Sequence, residues 1–370
     1  MTSSPRALIV LAAGGTGGHV FPAEALAQEL LHRGFRLALV TDQRGTAYGG
    51  ALGDIETHRL AVLAPVGGFG RRIASGVSLV AGVFAAKRLL RKLQPAAVVG
   101  FGGYPSLAPM IAATRMKLPT LIHEQNAVLG RANRMIAGSV ETIATSFPKV
   151  RFMPAGTVAH LTGNPVRDAV RALRDRPYPV PSERFNILVT GGSQGASVFA
   201  KVVPAALTLL PAELRQRIDV SQQTRIEDLP AVRTAYAATG ITIDLMPFFA
   251  DLPERLAKAQ LVICRSGAST VAELAVAGRP AILVPYPHAM DDHQTDNAKA
   301  FAAAGGGEHI ANVDFTPADL AERIERMMAE PQALVVSAAA ARDFGRPDAA
   351  ARLADLVASL AGSNGKERAA

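Results

Sequence analysis

A chain of 370 residues is too long for one ordinary core and about right for two. With 49% hydrophobic and 19% charged residues it is globular, no run of 18 uninterrupted apolar residues marks a membrane span, and a lone Cys264 rules out an internal disulfide and fits a reducing compartment. A net charge of +8 admits an anionic membrane, a phosphorylated substrate or nucleic acid, but 5% aromatic residues and no Trp supply base stacking poorly, so no nucleic-acid partner is expected.

The first apolar run, Ala7–Ala13 after Arg6, is short for a signal peptide and leads straight into glycines, so it reads as a buried strand. The loop Gly14-Gly15-Thr16-Gly17-Gly18 follows, with Pro22 where a helix begins. Backbone N–H groups at such a start hold a phosphate or pyrophosphate, although a close-packed turn without a ligand has the same glycines. His19 leaves the loop at the carboxyl edge of the sheet, as a general base or as an inert loop residue. The next strand is Arg36–Thr41.

From Thr57 to His123 there is no Asp or Glu, while nine Arg and Lys residues occur. Within that stretch Ile73, Val77, Leu79, Val80 and Phe84 lie between two basic ends, Arg71-Arg72 and Lys87-Arg88 with Arg91-Lys92. Two readings fit: a core-packed helix with a solvated basic face, or a surface that docks on anionic lipid. The strand Ala96–Phe101 runs into Gly102-Gly103-Tyr104-Pro105, and the strand Pro119–His123 into Glu124-Gln125-Asn126. These are ordinary polar loops or, sharing a sheet edge with His19, one wall of a ligand site. Glu141–Thr145 is the last strand of this series.

A second series repeats the plan: Phe185–Thr190, Ile218–Gln222, Ile241–Leu245, Leu261–Cys264 and Ala281–Val284. Such short Val-, Ile- and Leu-rich runs, separated by helical segments, are strands of parallel sheets buried on both faces. Gly191-Gly192-Ser193-Gln194-Gly195 follows its first strand as Gly14–Gly18 follows that of the first series, 177 residues on. The fold class is therefore α/β, with two similar doubly wound domains, 1–165 and 166–345, whose boundary lies between Asn164-Pro165 and the proline-rich stretch Arg174–Arg184 (Pro177, Pro179, Pro181), which suits a surface linker. A last helix, about 346–361, follows Gly345-Arg346-Pro347, and 362–370 reads as a disordered tail.

The segment Arg265-Ser266-Gly267-Ala268-Ser269-Thr270-Val271-Ala272-Glu273 opens another helix with its N–H groups toward an anion. Glu273, one turn in, either takes both hydroxyls of a ribose or is a solvated acid favoured by the helix dipole. Dinucleotide binding is disfavoured, because Gly15–Val20 does not follow G-x-G-x-x-G and Asp42 comes late for the ribose acid; the Gly-Lys-Ser/Thr of a P-loop is absent. Asp291-Asp292-His293 is the one metal-like cluster, and no metal or other cofactor is expected.

Together, Gly14–Pro22, Gly102–Tyr104, His123–Asn126, Gly163-Asn164-Pro165-Val166-Arg167, Gly191–Ala196, Cys264–Gly267 and Glu273 resemble the MurG family of N-acetylglucosaminyltransferases, in the family's order from about residue 7 to 355. The resemblance implies a GT-B fold, two Rossmann-like domains across a cleft, with the last helix crossing back onto the first. It implies inverting, metal-independent transfer from UDP-N-acetylglucosamine to the C4 hydroxyl of lipid I, undecaprenyl-diphospho-N-acetylmuramoyl-pentapeptide, giving lipid II for peptidoglycan. Thr16, Gly17, Gly18, Gly102, Gly103 and Tyr104 would grip the acceptor diphosphate, His19 would be the base or would position the hydroxyl, and Glu124 and Asn126 would line the acceptor side. Ser193, Gln194, Gly195 and the helix start Ala268–Ala272 would take the UDP phosphates. Glu273 would hold the ribose, Gln294 the sugar hydroxyls and Arg167 the nucleotide, with Phe249 beside uracil, where an aliphatic residue is usual. The implied location is peripheral, on the cytoplasmic face of the anionic inner membrane, with division or elongation proteins as partners. A diacylglycerol glycosyltransferase and a non-catalytic division scaffold are the competing readings.

Overall fold

The computed structural model describes residues 7–14, 17–42, 50–61, 69–192, 195–237 and 239–367. The chain divides into two compact units, Met1–Val166 with Asp348–Ala370, and Arg167–Pro347.

The first unit runs β1 (Leu8–Ala12), α1 (Gly17–His32), β2 (Arg36–Asp42), α2 (Gly50–Gly53), β3 (Glu56–Leu60), α3 (Phe69–Leu93), β4 (Ala97–Gly100), α4 (Tyr104–Arg115), β5 (Thr120–Glu124), α5 (Arg131–Ile136), β6 (Thr142–Thr145) and β7 (Ala159–Leu161). Its seven strands are parallel, in the order β3-β2-β1-β4-β5-β6-β7. The continuous apolar run of β1 follows from its place at the centre. Ile9 and Leu11 pack on Leu26 and Leu30 of α1, while Val10 faces the opposite way onto Val83 and Leu90 of α3 and Met110 of α4. Side chains alternate across a strand, so a sheet covered on both faces needs apolar residues at every position.

The second unit begins with α6 (Asp168–Arg171) and continues β8 (Phe185–Thr190), α7 (Ser197–Leu209), α8 (Ala212–Arg215), β9 (Ile218–Gln223), α9 (Leu229–Ala237), β10 (Thr242–Met246), α10 (Leu252–Lys258), β11 (Leu261–Cys264), α11 (Ala268–Ala277), β12 (Ala281–Leu283), α12 (His293–Ala303), β13 (Gly307–His309), α13 (Pro317–Ala329) and α14 (Pro331–Phe344). Its strand order is β10-β9-β8-β11-β12-β13, again parallel throughout. Phe185, Ile187 and Val189 of β8 pack against Phe199, Val203 and Leu207 of α7 and against Leu320 and Ile324 of α13. Cys264, at the end of β11, is fully buried, and burial pushes its thiol far above the ordinary range, so it is an inert core residue.

The last helix, α15 (Ala349–Glu367), belongs to the first unit, where Leu353, Ala354 and Val357 join the core beneath α1. Arg33, just past α1, fastens it through Asp355 at 2.6 Å and the Ala351 carbonyl at 3.1 Å. The helix runs on to Glu367, where the sequence reading set a disordered tail from residue 362. Leu360 and Ala361 are still packed in the core at that point, and no proline stops the turns that follow.

Candidate active site

In a doubly wound sheet the chain leaves the first and fourth strands in opposite directions, and a ligand site opens at the carboxyl ends of that pair. In the first unit the pair is β1 and β4, with Ala12 opposite Gly100. Helix α1 starts behind β1 and α4 behind β4, so two helix N-termini share this edge, and no side chain caps that of α4. Gly17 and Gly18 form the exposed first turn of α1; Thr16 lies outside the described residues. Gly103 caps α4 at φ 71°, and a Cβ there would come within 3.2 Å of both the Gly14 carbonyl oxygen and Cδ2 of His19. Only glycine allows that backbone conformation and that closeness together.

His19 thus lies in the first turn of α1 against Gly102 and Gly103, with its Nδ1 3.0 Å from Oε1 of Gln125. Tyr104 opens α4, and its hydroxyl is tied to Ser75 of α3 at 2.8 Å. Glu124 is only 2% exposed, and its carboxylate is already engaged. It accepts from the backbone N–H of Asn126 (3.0 Å) and of Gly130 (2.8 Å), and from the amide of Asn133 (2.9 Å). Its evident work is to hold the loop that presents Asn126. Gln125, His123 and Asn133 carry the polar framework under His19, and residue type and spacing singled out none of them for a role. The signal was present only in His123-Glu124-Gln125-Asn126, as four consecutive polar side chains closing a buried strand.

The second unit repeats the arrangement at β8 and β11, where Thr190 lies opposite Cys264. The turn after β8 contains Gly191 and Gly192, and Gly195 precedes α7; Ser193 and Gln194 lie outside the described residues. The side chain of Arg225 lies against Gly195, where a Cβ would come within 2.9 Å of it. Helix α11 follows β11 with Gly267 at its N-cap and no side chain satisfying its first N–H groups. Ala268 and Val271 are buried and offer the site only backbone, whereas Ser269, Thr270, Ala272 and Glu273 are partly exposed.

The Oε1 of Glu273 takes Nε and Nη2 of Arg167, each at 2.9 Å. Burial raises the Glu273 carboxyl above the ordinary glutamate range, and Arg167 opposes that rise. Gln294, in the first turn of α12, accepts the N–H of Tyr286 at 2.9 Å through Oε1, which leaves Nε2 as what it offers a ligand. Phe249 is 6% exposed beneath the guanidinium of Arg255, 4.0 Å from the ring centroid, so its ring faces the interior, and the exposed aromatic there is Phe248. Asp291 and Asp292 both have left-handed backbone, and Asp292 accepts from Thr295 at 2.7 Å. Among the described residues no three His, Cys, Asp or Glu side chains are grouped as a metal site would need.

Kinship fixes the class. Residues 9–145 match the glycosyltransferase family 28 N-terminal domain and residues 186–353 the family 28 C-terminal domain. The crystal structure of Acinetobacter baumannii MurG superposes with a TM-score of 0.78 at 32% identity, covering 95% of this chain and 99% of that one. The protein is therefore a glycosyltransferase of the GT-B fold, built from two Rossmann-like parallel sheets. The UDP-N-acetylglucosamine–N-acetylmuramyl-(pentapeptide) pyrophosphoryl-undecaprenol N-acetylglucosamine transferase of Rhodospirillum centenum is 56% identical, over 97% of this chain and 96% of its own. That of Paramagnetospirillum magneticum is 54% identical, over 97% and 98%. The chain belongs to this family of N-acetylglucosamine transferases.

Proposed function

We infer that the protein moves N-acetylglucosamine from UDP to the C4 hydroxyl of undecaprenyl-diphospho-N-acetylmuramoyl-pentapeptide, making lipid II from lipid I. Near-full-length kinship at 56% identity carries this reading. The two glycine-flanked helix starts of the first unit suit the acceptor's diphosphate, with Gly17, Gly18 and the Gly102–Tyr104 turn around it. The start of α11 suits the diphosphate of UDP, Glu273 suits a pair of ribose hydroxyls, and Nε2 of Gln294 suits a sugar hydroxyl. The domain roles follow: residues 1–165 with the last helix take the acceptor, and the second unit takes the donor. Ser193 and Gln194 belong to the same proposal by their place after Gly192.

In the proposed step His19 Nε2 takes the proton from the acceptor's O4 as that oxygen attacks C1 of N-acetylglucosamine. The C1–oxygen bond to the diphosphate breaks, and UDP leaves with the electron pair. A single displacement inverts the anomeric centre. Negative charge grows on the departing diphosphate, and the free N–H groups of α11 are aimed where a phosphate would sit.

The acceptor's lipid implies work at a membrane surface, and α3 supports it. Val77, Val80 and Phe84 are exposed on one side of this helix, while Val83, Ala86 and Leu90 are buried on the other. We place the protein peripherally on an anionic cytoplasmic membrane face through that stripe, where division or elongation proteins are natural neighbours.

The test is UDP release from a panel of UDP-sugars with lipid I or diacylglycerol as acceptor. Release with UDP-N-acetylglucosamine and lipid I is expected. Release with diacylglycerol alone would overturn the reading. His19→Ala should lower kcat at least a hundredfold, within the roughly 10²–10⁴ range for a general base, and leave UDP affinity nearly unchanged. A variant retaining more than about a tenth of kcat would take His19 out of the chemistry.

A further inference from the structure

A base on an imidazole needs its lone pair on the right nitrogen, and here the protein interior decides which nitrogen that is. Nδ1 of His19 is 3.0 Å from the amide oxygen of Gln125. An amide oxygen only accepts and an amide nitrogen only donates, so the orientation of that amide sets the proton on His19. The other contacts of Gln125 fix the orientation. Its Nε2 is 3.0 Å from the Phe101 carbonyl oxygen, 3.0 Å from the His123 carbonyl oxygen and 3.1 Å from Nδ1 of His123. Turning the amide over would press its oxygen against two carbonyl oxygens. Gln125 is 1% exposed, so solvent offers the displaced groups no replacement.

His123 is fixed by the same logic. Its Nε2 is 3.0 Å from the Gly163 carbonyl oxygen, which only accepts, so Nε2 bears the proton and Nδ1 presents a lone pair to Gln125. Burial pushes the His123 imidazole down to about 4, so it stays neutral and remains that acceptor at working pH. The donors therefore point one way from the surface inward: His19 to Gln125, Gln125 to His123 and Phe101, His123 to Gly163.

We propose that Gln125, oriented by His123 and the Phe101 carbonyl, is a positioning residue that holds His19 as the Nδ1–H tautomer and leaves its Nε2 lone pair beside Gly103. A Cβ on Gly103 would lie 3.5 Å from that Nε2, so the nitrogen adjoins the start of α4, where the acceptor diphosphate is proposed to bind. The proposal rests on the reading of His19 as the base, and its test separates the two.

Full-length protein labelled with 15N in its histidine rings reports the tautomer directly. His19 should show a protonated Nδ1 and an unprotonated Nε2. Gln125→Leu removes the acceptor; the ring should then populate both tautomers, kcat should fall about tenfold or more, and the KM for UDP-N-acetylglucosamine should stay within about twofold. Gln125→Glu can keep an oxygen toward Nδ1 only as the neutral acid, with its O–H donating to the Phe101 or His123 carbonyl; in that form it should restore the Nδ1–H tautomer and raise kcat above that of the leucine variant, which a merely space-filling role would not require. A wild-type spectrum with the proton on Nε2 overturns the proposal, as does a folded Gln125→Leu protein with unchanged tautomer and kcat. Should the leucine variant not fold, the wild-type spectrum and the glutamate variant decide. An active His19→Ala enzyme would instead defeat the base reading, and the spectrum would still report on Gln125.

Discussion

Glu273, proposed to hold the ribose, is kept charged at a cost to the fold. Its carboxylate is largely withdrawn from water, which raises its pKa, and Arg167 at 2.9 Å offsets part of the penalty. A carboxyl whose folded pKa lies above its unfolded value costs stability while it is charged, and that cost is relieved as pH falls through the folded pKa. If Glu273 holds the ribose as proposed, donor affinity follows the opposite sign, because only its carboxylate accepts from two hydroxyls. UDP affinity should therefore weaken on acidification beginning above the ordinary glutamate range, and titration calorimetry across pH measures it. Arg167→Ala removes the one contribution that lowers this pKa, so the loss should begin at higher pH. Glu273→Gln should unfold at slightly higher temperature than wild type at neutral pH, while Glu273→Ala should raise the donor KM by the equivalent of about 1.5–3 kcal/mol. An unaltered KM in Glu273→Ala would separate this residue from the ribose.

At the scale of elements, the helix ends do much of the work, and Arg279 secures two of them. Its side chain is completely buried and donates to the carbonyls of Ala277 and Gly278 at the end of α11 and of Ala257 near the end of α10. Burial lowers its pKa to about 10, which leaves it cationic at neutral pH, where a positive charge suits two helix C-termini. Arg279→Met strands those carbonyls, and urea denaturation should show a loss of at least about 2 kcal/mol, since a buried acceptor left without a donor costs about 1–3 kcal/mol. A loss under about 1 kcal/mol would show that the carbonyls find other partners. The N-terminal ends have the complementary task. If the start of α11 carries the charge of departing UDP, activity should persist in EDTA; loss on chelation, restored by magnesium, would assign that charge to a metal. The strands β1, β4 and β11 were legible because both faces are buried and every residue is apolar. The edge strands β3, β7 and β13 were not: Glu56–Leu60, Ala159–Leu161 and Gly307–His309 are short, partly exposed and polar, and pairing with a neighbour alone makes them strands. The motif glycines and His19 stood out in the sequence as candidates, whereas the orientation of Gln125 depends on carbonyls of Phe101 and His123 that only the folded backbone brings around it.

For the whole molecule the charge distribution matters more than its total. No acid stands between Thr57 and His123, so the net charge of +8 is gathered toward α3 and its surroundings. On that helix Val77 is 65% exposed, Val80 57% and Phe84 69%, and Arg88 and Arg91 continue the same face toward its C-terminal end. Three large apolar side chains left in water on one stripe, followed by cations, fit the boundary between acyl chains and anionic headgroups. No helix among the described residues is long and apolar enough to cross a membrane. Each Arg or Lys near an anionic surface contributes about 1 kcal/mol, a term that salt weakens, and burying the Phe84 ring contributes about 1.5–3 kcal/mol, which salt does not. Co-sedimentation with vesicles should therefore be strong on anionic phospholipid, weak on zwitterionic phospholipid, and only partly reversed by salt. Phe84→Glu should lower vesicle binding at least about tenfold, since it removes the apolar contribution and adds a repulsive charge. The same variant should turn over a short-chain, water-soluble acceptor at the wild-type rate, because α3 meets the start of α4 at Ser75 and Phe84 is a solvent-exposed residue more than two turns further on, and should slow only with lipid I in vesicles. Equal binding of Phe84→Glu and wild type to anionic vesicles would remove the stripe from membrane attachment and return α3 to the reading of a core-packed helix with a solvated basic face.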